Sequence, residues 1–216
     1  MGEQRALSPF TVLVVCTGNI CRSPVAERLL RAQLENAEIP ARVVSAGTQS
    51  MVGHDMTPEA AQLAQHYGAD PLVHRSQQLT EQLIADADLV VTATREHRSA
   101  VVSLHPRSSR YTYTLNQLAR LLPAALEPNP QDSLVERNTL VELVETPQAD
   151  PATILRALLV EVAATKGFSP PPPHPDDDDI EDPYRQSAEV YARVGNVINA
   201  TVTTITNGFA TAVYRR

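Results

Sequence analysis

The sequence predicts an α/β domain: a parallel sheet with helices on its faces. Three observations carry that expectation. Val12, Leu13, Val14 and Val15 form an uninterrupted apolar run of the kind found in strands buried on both sides. Strand and helix signals then alternate through the front half of the chain. Finally, 43% of the 216 residues are hydrophobic, enough for a real core, while Trp is absent and Phe occurs three times, so that core rests on Val, Leu, Ala and Ile.

Each element has its own local reason. After the first strand, Ser23-Pro24 supplies an N-cap candidate and a proline at the first helical position, and Ala26, Leu29, Leu30 and Leu34 share one helical face. Arg42-Val43-Val44 reads as a second strand, closed by Ser45-Ala46-Gly47-Thr48. Thr57-Pro58 opens another helix, with Ala60, Leu63, Ala64 and Tyr67 at helical spacing and Gly68 at its end. Leu89-Val90-Val91 reads as the third strand and Tyr111-Thr112-Tyr113 as a fourth. Asp150-Pro151 caps a helix carrying Ile154, Leu155, Leu158, Leu159 and Val162, which Gly167 stops. Residues 169–179, a proline run followed by four aspartates, read as a solvated linker. Val190, Val194, Val197 and Ile198 mark a long final helix.

Chemistry concentrates in Cys16-Thr17-Gly18-Asn19-Ile20-Cys21-Arg22-Ser23, between the first strand and a helix N-terminus. A cysteine and an arginine five residues apart can wrap a tetrahedral oxyanion. Backbone N–H groups point inward, the helix end adds partial positive charge, and arginine offers a bidentate fork. The same field stabilises a thiolate and so makes a nucleophile. The expected product of that chemistry is a phosphocysteine.

Composition narrows the alternatives. Two cysteines so placed are no disulfide framework; in a reducing compartment they read as catalytic, redox-active or metal-binding. Net charge is −7 with no basic block, Arg215-Arg216 being too short to count, so no nucleic-acid partner is expected. No apolar run reaches membrane-helix length and residues 1–8 show no signal-peptide pattern, so no membrane partner and a cytoplasmic location are expected. His54, His66, His74, His97, His105 and His174 show no ligand spacing, so neither metal nor cofactor is expected, and His66 and His97 read as helix-surface residues.

Taken together, the loop at residues 15–24, Ser45-Ala46-Gly47-Thr48, His74-Arg75-Ser76 and the late Asp182-Pro183-Tyr184 resemble the low-molecular-weight protein tyrosine phosphatases. That resemblance implies a single three-layer domain over residues 1–216 with a central parallel sheet of about four strands. It implies hydrolysis of phosphotyrosine and aryl phosphates, with a phosphotyrosine-bearing protein as partner and phosphate or a similar oxyanion held in the loop. Cys16 would attack phosphorus and Arg22 would clamp equatorial oxygens, a task for a planar fork. The N–H groups of Thr17, Gly18, Asn19, Ile20, Cys21 and Arg22 would complete the cradle. Ser23 would hydrogen-bond the thiolate, Asp182 would act as general acid and Tyr184 would wall a substrate ring. Asn19, held by Ser45 and His74, would support the loop. Cys21 matches a second cysteine found in many members, which raises a protective Cys16–Cys21 disulfide.

Two departures stand out. Ala93-Thr94 replaces a usual Met-Asp pair, and residues 125–180 form an insert or linker region before the general-acid loop. The alternative on the same loop is an arsenate reductase drawing on a small-molecule thiol, for which Asp-Pro-Tyr would be idle.

Overall fold

The computed structural model describes residues 9–71, 73–127 and 149–214. The short N- and C-terminal stretches and the part of the insert at 128–148 lie outside the described residues. Four strands, β1 (Phe10–Cys16), β2 (Ala41–Gly47), β3 (Leu89–Thr92) and β4 (Thr112–Thr114), form one parallel sheet in the order β2-β1-β3-β4. β1 is central: Val12 pairs with Val43 on one side and Leu89 on the other. Each strand lies within a residue or a few of its expected position. The fourth is centred on Tyr113, whose ring is fully buried.

Because strand side chains alternate, the apolar run of β1 feeds two cores. Phe10, Val12 and Val14 face the larger one, with α1 (Arg22–Asn36), α2 (Pro58–His66), α5 (Leu115–Leu126), α6 (Pro151–Thr165) and α7 (Ala188–Tyr214). Leu13 and Val15 face the smaller one, with α3 (Glu81–Ala85) and α4 (Arg95–Leu104). Three layers result. Among the described residues no helix is long and apolar enough to cross a membrane.

Helix α6 lies inside the expected insert, yet it is no appendage. Leu155, Leu158 and Val162 are fully buried in the larger core, against α5, α7 and β1. Arg156 Nε donates to Asp88 Oδ1 (3.0 Å), and Asp88 Oδ2 accepts from Thr11 N (2.9 Å), so α6 is fastened to the start of β1.

The aspartate run is solvated only in part: Asp176 and Asp177 are exposed, whereas Asp178 is buried. Pro175–Asp178 is a 3-10 turn. Asp176 and Asp179 engage Arg95 at the start of α4, the latter at 3.0 Å, and buried Asp178 meets Arg120 of α5 at 3.2 Å. Three of the four aspartates thus meet arginines some 60 to 80 positions away in sequence, which composition alone cannot reveal. Ile180 then joins the frame: its N–H donates to Ala93 O at 2.8 Å.

Gly47 closes β2 where no side chain fits. A Cβ there would sit 2.4 Å from Thr17 O and 3.1 Å from Asn19 Cβ. We expect Gly47→Ala to destabilise the fold by about 1–3 kcal/mol in urea unfolding, because the backbone of residues 17–19 must retreat. A variant with wild-type stability would contradict this reading of the contact.

Candidate active site

β1 delivers Cys16 to the C-terminal edge of the sheet, and the loop that follows leads into α1. Its carbonyls are taken by donors outside the phosphate-sized ring. Cys16 O accepts from Thr48 N (2.9 Å), Thr17 O from Gln49 N (3.0 Å), Gly18 O from Met51 N (3.0 Å) and Ile20 O from Thr57 N (2.9 Å). Asn19 O accepts from Nε2 of buried His74 at 2.7 Å. In a trans peptide the N–H points opposite to the carbonyl before it, so outward carbonyls turn the N–H groups inward. Among the described residues, none of the N–H groups from Thr17 to Cys21 is hydrogen-bonded to another protein group.

Asn19 braces the loop from within. It is fully buried at φ 56°, a left-handed conformation that asparagine tolerates better than most residues. Its Nδ2 donates to Ser45 Oγ (2.8 Å) and Ser23 Oγ (3.0 Å), and its Oδ1 accepts from Gln77 N (2.9 Å). Since Ser23 Oγ already accepts from the amide, its hydroxyl hydrogen is available to Cys16 Sγ, 2.9 Å away. Ser23 is therefore not the N-cap. Helix α1 starts at Arg22, with Cys21 in the cap position making no side-chain cap bond. At the other end of this chain Ser45 donates to Glu27 Oε2 (2.5 Å), and buried Glu27 meets Arg31 at 2.6 Å. Sequence reasoning missed Glu27, because a carboxylate four residues before an arginine reads as an ordinary helix-surface pair.

Arg22 is buried beneath the cradle. Its Nη1 donates to Ile180 O (3.1 Å), and its Nη2 to Asp182 Oδ2 (2.6 Å) and Thr17 Oγ1 (3.4 Å). Nε is buried without a partner among the described residues, so its N–H can serve a ligand oxygen. The Asp182 side chain is about half exposed, so a phosphoryl group can displace it from Arg22. Asp182 Oδ1 also accepts from Tyr184 N (3.2 Å), a turn that sets the Tyr184 ring beside the loop.

These residues share a pocket of about 180 Å³, whose lining combines polar Cys16, Arg22 and Asp182 with apolar Ile20 and Met51 and the Tyr184 side chain. A larger cleft of about 340 Å³, lined by Arg28, Arg31 and Arg75, lies behind the loop and contains neither thiol. Both cysteines are free thiols. Cys21 Sγ faces Tyr191 Oη (3.5 Å) and Thr57 Oγ1 (3.6 Å), and burial pushes its pKa up, so it resists ionisation. Among the described residues no group of three or more His, Cys, Asp or Glu is placed to hold a metal.

His97 corrects the helix-surface expectation. It is buried, with Nε2 2.8 Å from Thr17 Oγ1 and Nδ1 2.7 Å from Thr94 Oγ1, the hydroxyl that also caps α4. Burial, and then the Arg22 charge, push its pKa down to about 4. The available signal was the Thr94-x-x-His97 spacing at a helix start.

A family model described as low molecular weight phosphotyrosine protein phosphatase matches residues 11–127. A probable low molecular weight protein-tyrosine-phosphatase of Ralstonia nicotianae is 38% identical over 108 residues, 50% of this chain and 72% of that one. A protein-arginine-phosphatase of Geobacillus stearothermophilus is 36% identical over 110 residues, 50% of this chain and 71% of that one. In three dimensions the Erwinia amylovora tyrosine phosphatase AmsI superposes with a TM-score of 0.61 at 23% identity, over 93% of each chain. The family match ends before Asp182, so it is the fold that carries Asp182 and Tyr184 to the loop.

The His97 shift has a consequence for stability. With a folded pKa of about 4 against an ordinary 6.5, the unfolded chain takes the proton first as pH falls. Stability therefore rises with pH across that window and is fully present above it. Wild type should lose about 3 kcal/mol more than His97→Gln between about pH 7 and pH 4, by urea unfolding at each pH. Equal losses would contradict the assignment.

Proposed function

We propose that this chain, which belongs to the low molecular weight phosphotyrosine protein phosphatase family, hydrolyses phosphotyrosine and aryl phosphate monoesters through a phosphocysteine. The observation that carries this reading is the inward N–H cradle around Cys16, closed by Arg22 and faced by Asp182.

The first step breaks the bond between phosphorus and the phenolic oxygen and forms a bond between phosphorus and Cys16 Sγ. The phosphoryl oxygens take the loop N–H groups and the free Nε of Arg22, in a site whose donors are fixed before the charge develops. Their arrival displaces Asp182 from Arg22; the released carboxylate takes a proton from solvent and, as the neutral acid, delivers it to the departing phenolate. In the second step Asp182 removes a proton from water as water attacks phosphorus, and Cys16 leaves as a thiolate stabilised by the Ser23 hydroxyl.

The aliphatic side chains of Ile20 and Met51 line the pocket with surface that suits an aromatic ring, which supports phosphotyrosine over phosphoarginine on a protein partner. A reducing cytoplasm suits a reaction that needs Cys16 as a free thiol.

The test is steady-state hydrolysis of an aryl phosphate, a phosphotyrosine peptide and a phosphoarginine peptide. Cys16→Ser should lower aryl phosphate turnover by on the order of 10³-fold or more. Asp182→Asn should lower it by about 10²- to 10⁴-fold. Preference for phosphoarginine would move the substrate class. A wild type inert to all three would sink the hydrolase reading and direct the assay to arsenate with a small thiol.

A further inference from the structure

Among the described residues three contacts hold the Arg22 guanidinium, and the reaction must break the strongest of them. Asp182 Oδ2, at 2.6 Å, is the ionic partner that leaves when a phosphoryl group enters. Two neutral contacts remain: Ile180 O at 3.1 Å and Thr17 Oγ1 at 3.4 Å. Ile180 O is backbone, fixed by the N–H of the same residue on Ala93 O. Thr17 Oγ1 belongs to a side chain on the partly exposed rim of the loop, and a threonine hydroxyl free to rotate would not keep an arginine in place.

What stops that rotation is His97. Its Nε2 lies 2.8 Å from Thr17 Oγ1, and its Nδ1 lies 2.7 Å from Thr94 Oγ1. Thr94 is itself locked as the cap of α4, accepting from His97 N at 3.3 Å. A chain of contacts thus runs Thr94, His97, Thr17, Arg22, from the rigid start of a helix to the phosphate-binding fork. A neutral imidazole can serve one hydroxyl as donor and the other as acceptor, and the low pKa keeps the ring neutral over the working range. His97 lines neither the pocket wall nor the thiol's surroundings, so its action passes through Thr17.

We propose that His97 is a positioning residue for phosphoryl binding: through the Thr17 hydroxyl it keeps Arg22 aimed at the cradle once Asp182 has swung away. The proposal rests on the phosphate-cradle reading of the loop. It concerns oxyanion affinity first and turnover second, because both binding and the transition state use the same fork.

The two ring nitrogens can be tested apart, since asparagine places its amide near Nδ1 and glutamine near Nε2. We would measure inorganic phosphate affinity by calorimetry, KM and kcat for an aryl phosphate, and the thermal midpoint. His97→Asn, which keeps the Thr94 side, should weaken phosphate binding and raise KM about tenfold with the fold intact. His97→Gln, which keeps the Thr17 side, should recover most of that loss. Thr17→Val should weaken binding to a similar degree, and Thr17→Val combined with His97→Asn should be no worse than either alone.

Wild-type phosphate affinity in His97→Asn overturns the proposal, as do losses that multiply in the double variant or a His97→Gln no better than His97→Asn. Should His97→Asn fail to fold, Thr17→Val leaves the α4 cap intact and decides alone: wild-type phosphate affinity there also overturns it. A protein that shows these binding differences yet hydrolyses no aryl phosphate would refute the functional reading and leave this assignment standing.

Discussion

The site depends on where the carbonyls of residues 16–20 are sent. Each is drawn outward by a donor: four by the backbone N–H groups of Thr48, Gln49, Met51 and Thr57, one by His74. A peptide plane cannot offer both its ends to the same side, so this outer ring of acceptors creates the inner ring of donors. The cost of leaving N–H groups without protein partners is met by the outer bonds and by the buried Asn19 brace. The close passage of Gly47 beneath Thr17 and Asn19 belongs to the same arrangement. The cradle is thus imposed by the segment after β2 as much as by the loop's own sequence.

A second frame delivers the proposed acid. Ile180 sits between two anchors, its N–H on Ala93 O and its carbonyl under Arg22 Nη1, so the segment carrying Asp182 is registered to the end of β3 and to the phosphate loop together. Upstream, the aspartates fix the approach through Arg95 and Arg120. These pairs are only partly buried, and such pairs near the surface contribute little individually to stability. Their part is to choose one path for a proline-rich stretch that has few apolar side chains of its own. The long separation between β4 and Asp182 is accommodated because α6 enters the main core, so the extra length does not loosen the acid segment.

What could be read from sequence divides along a physical line. The strand, the loop and the helix start are contiguous, and their placement was legible: the positions of Cys16, Arg22 and the apolar run of β1 needed no distant partner to be understood. Tyr113 and the core faces of α1 and α6 followed from periodicity. Features set by distant pairing were not legible. His97 looked like a surface residue because Thr17, its partner, lies 80 positions earlier. The aspartate run looked solvated because Arg95 and Arg120 are equally remote. Ser23 reads from sequence both as a cap candidate and as the hydroxyl facing the thiol; the helix starts at Arg22, and the Ser23 hydroxyl lies 2.9 Å from Cys16 Sγ. Glu27 was passed over because a helical carboxylate gives no sign of burial until Ser45 is placed beside it.

The most direct test of the account is to stop turnover of an aryl phosphate by rapid acid quench and map the modified peptide by mass spectrometry. The account predicts a single phosphoryl group on Cys16, formed and lost at rates consistent with turnover. A phosphoryl group on another residue, or steady hydrolysis with no adduct on Cys16, would contradict it.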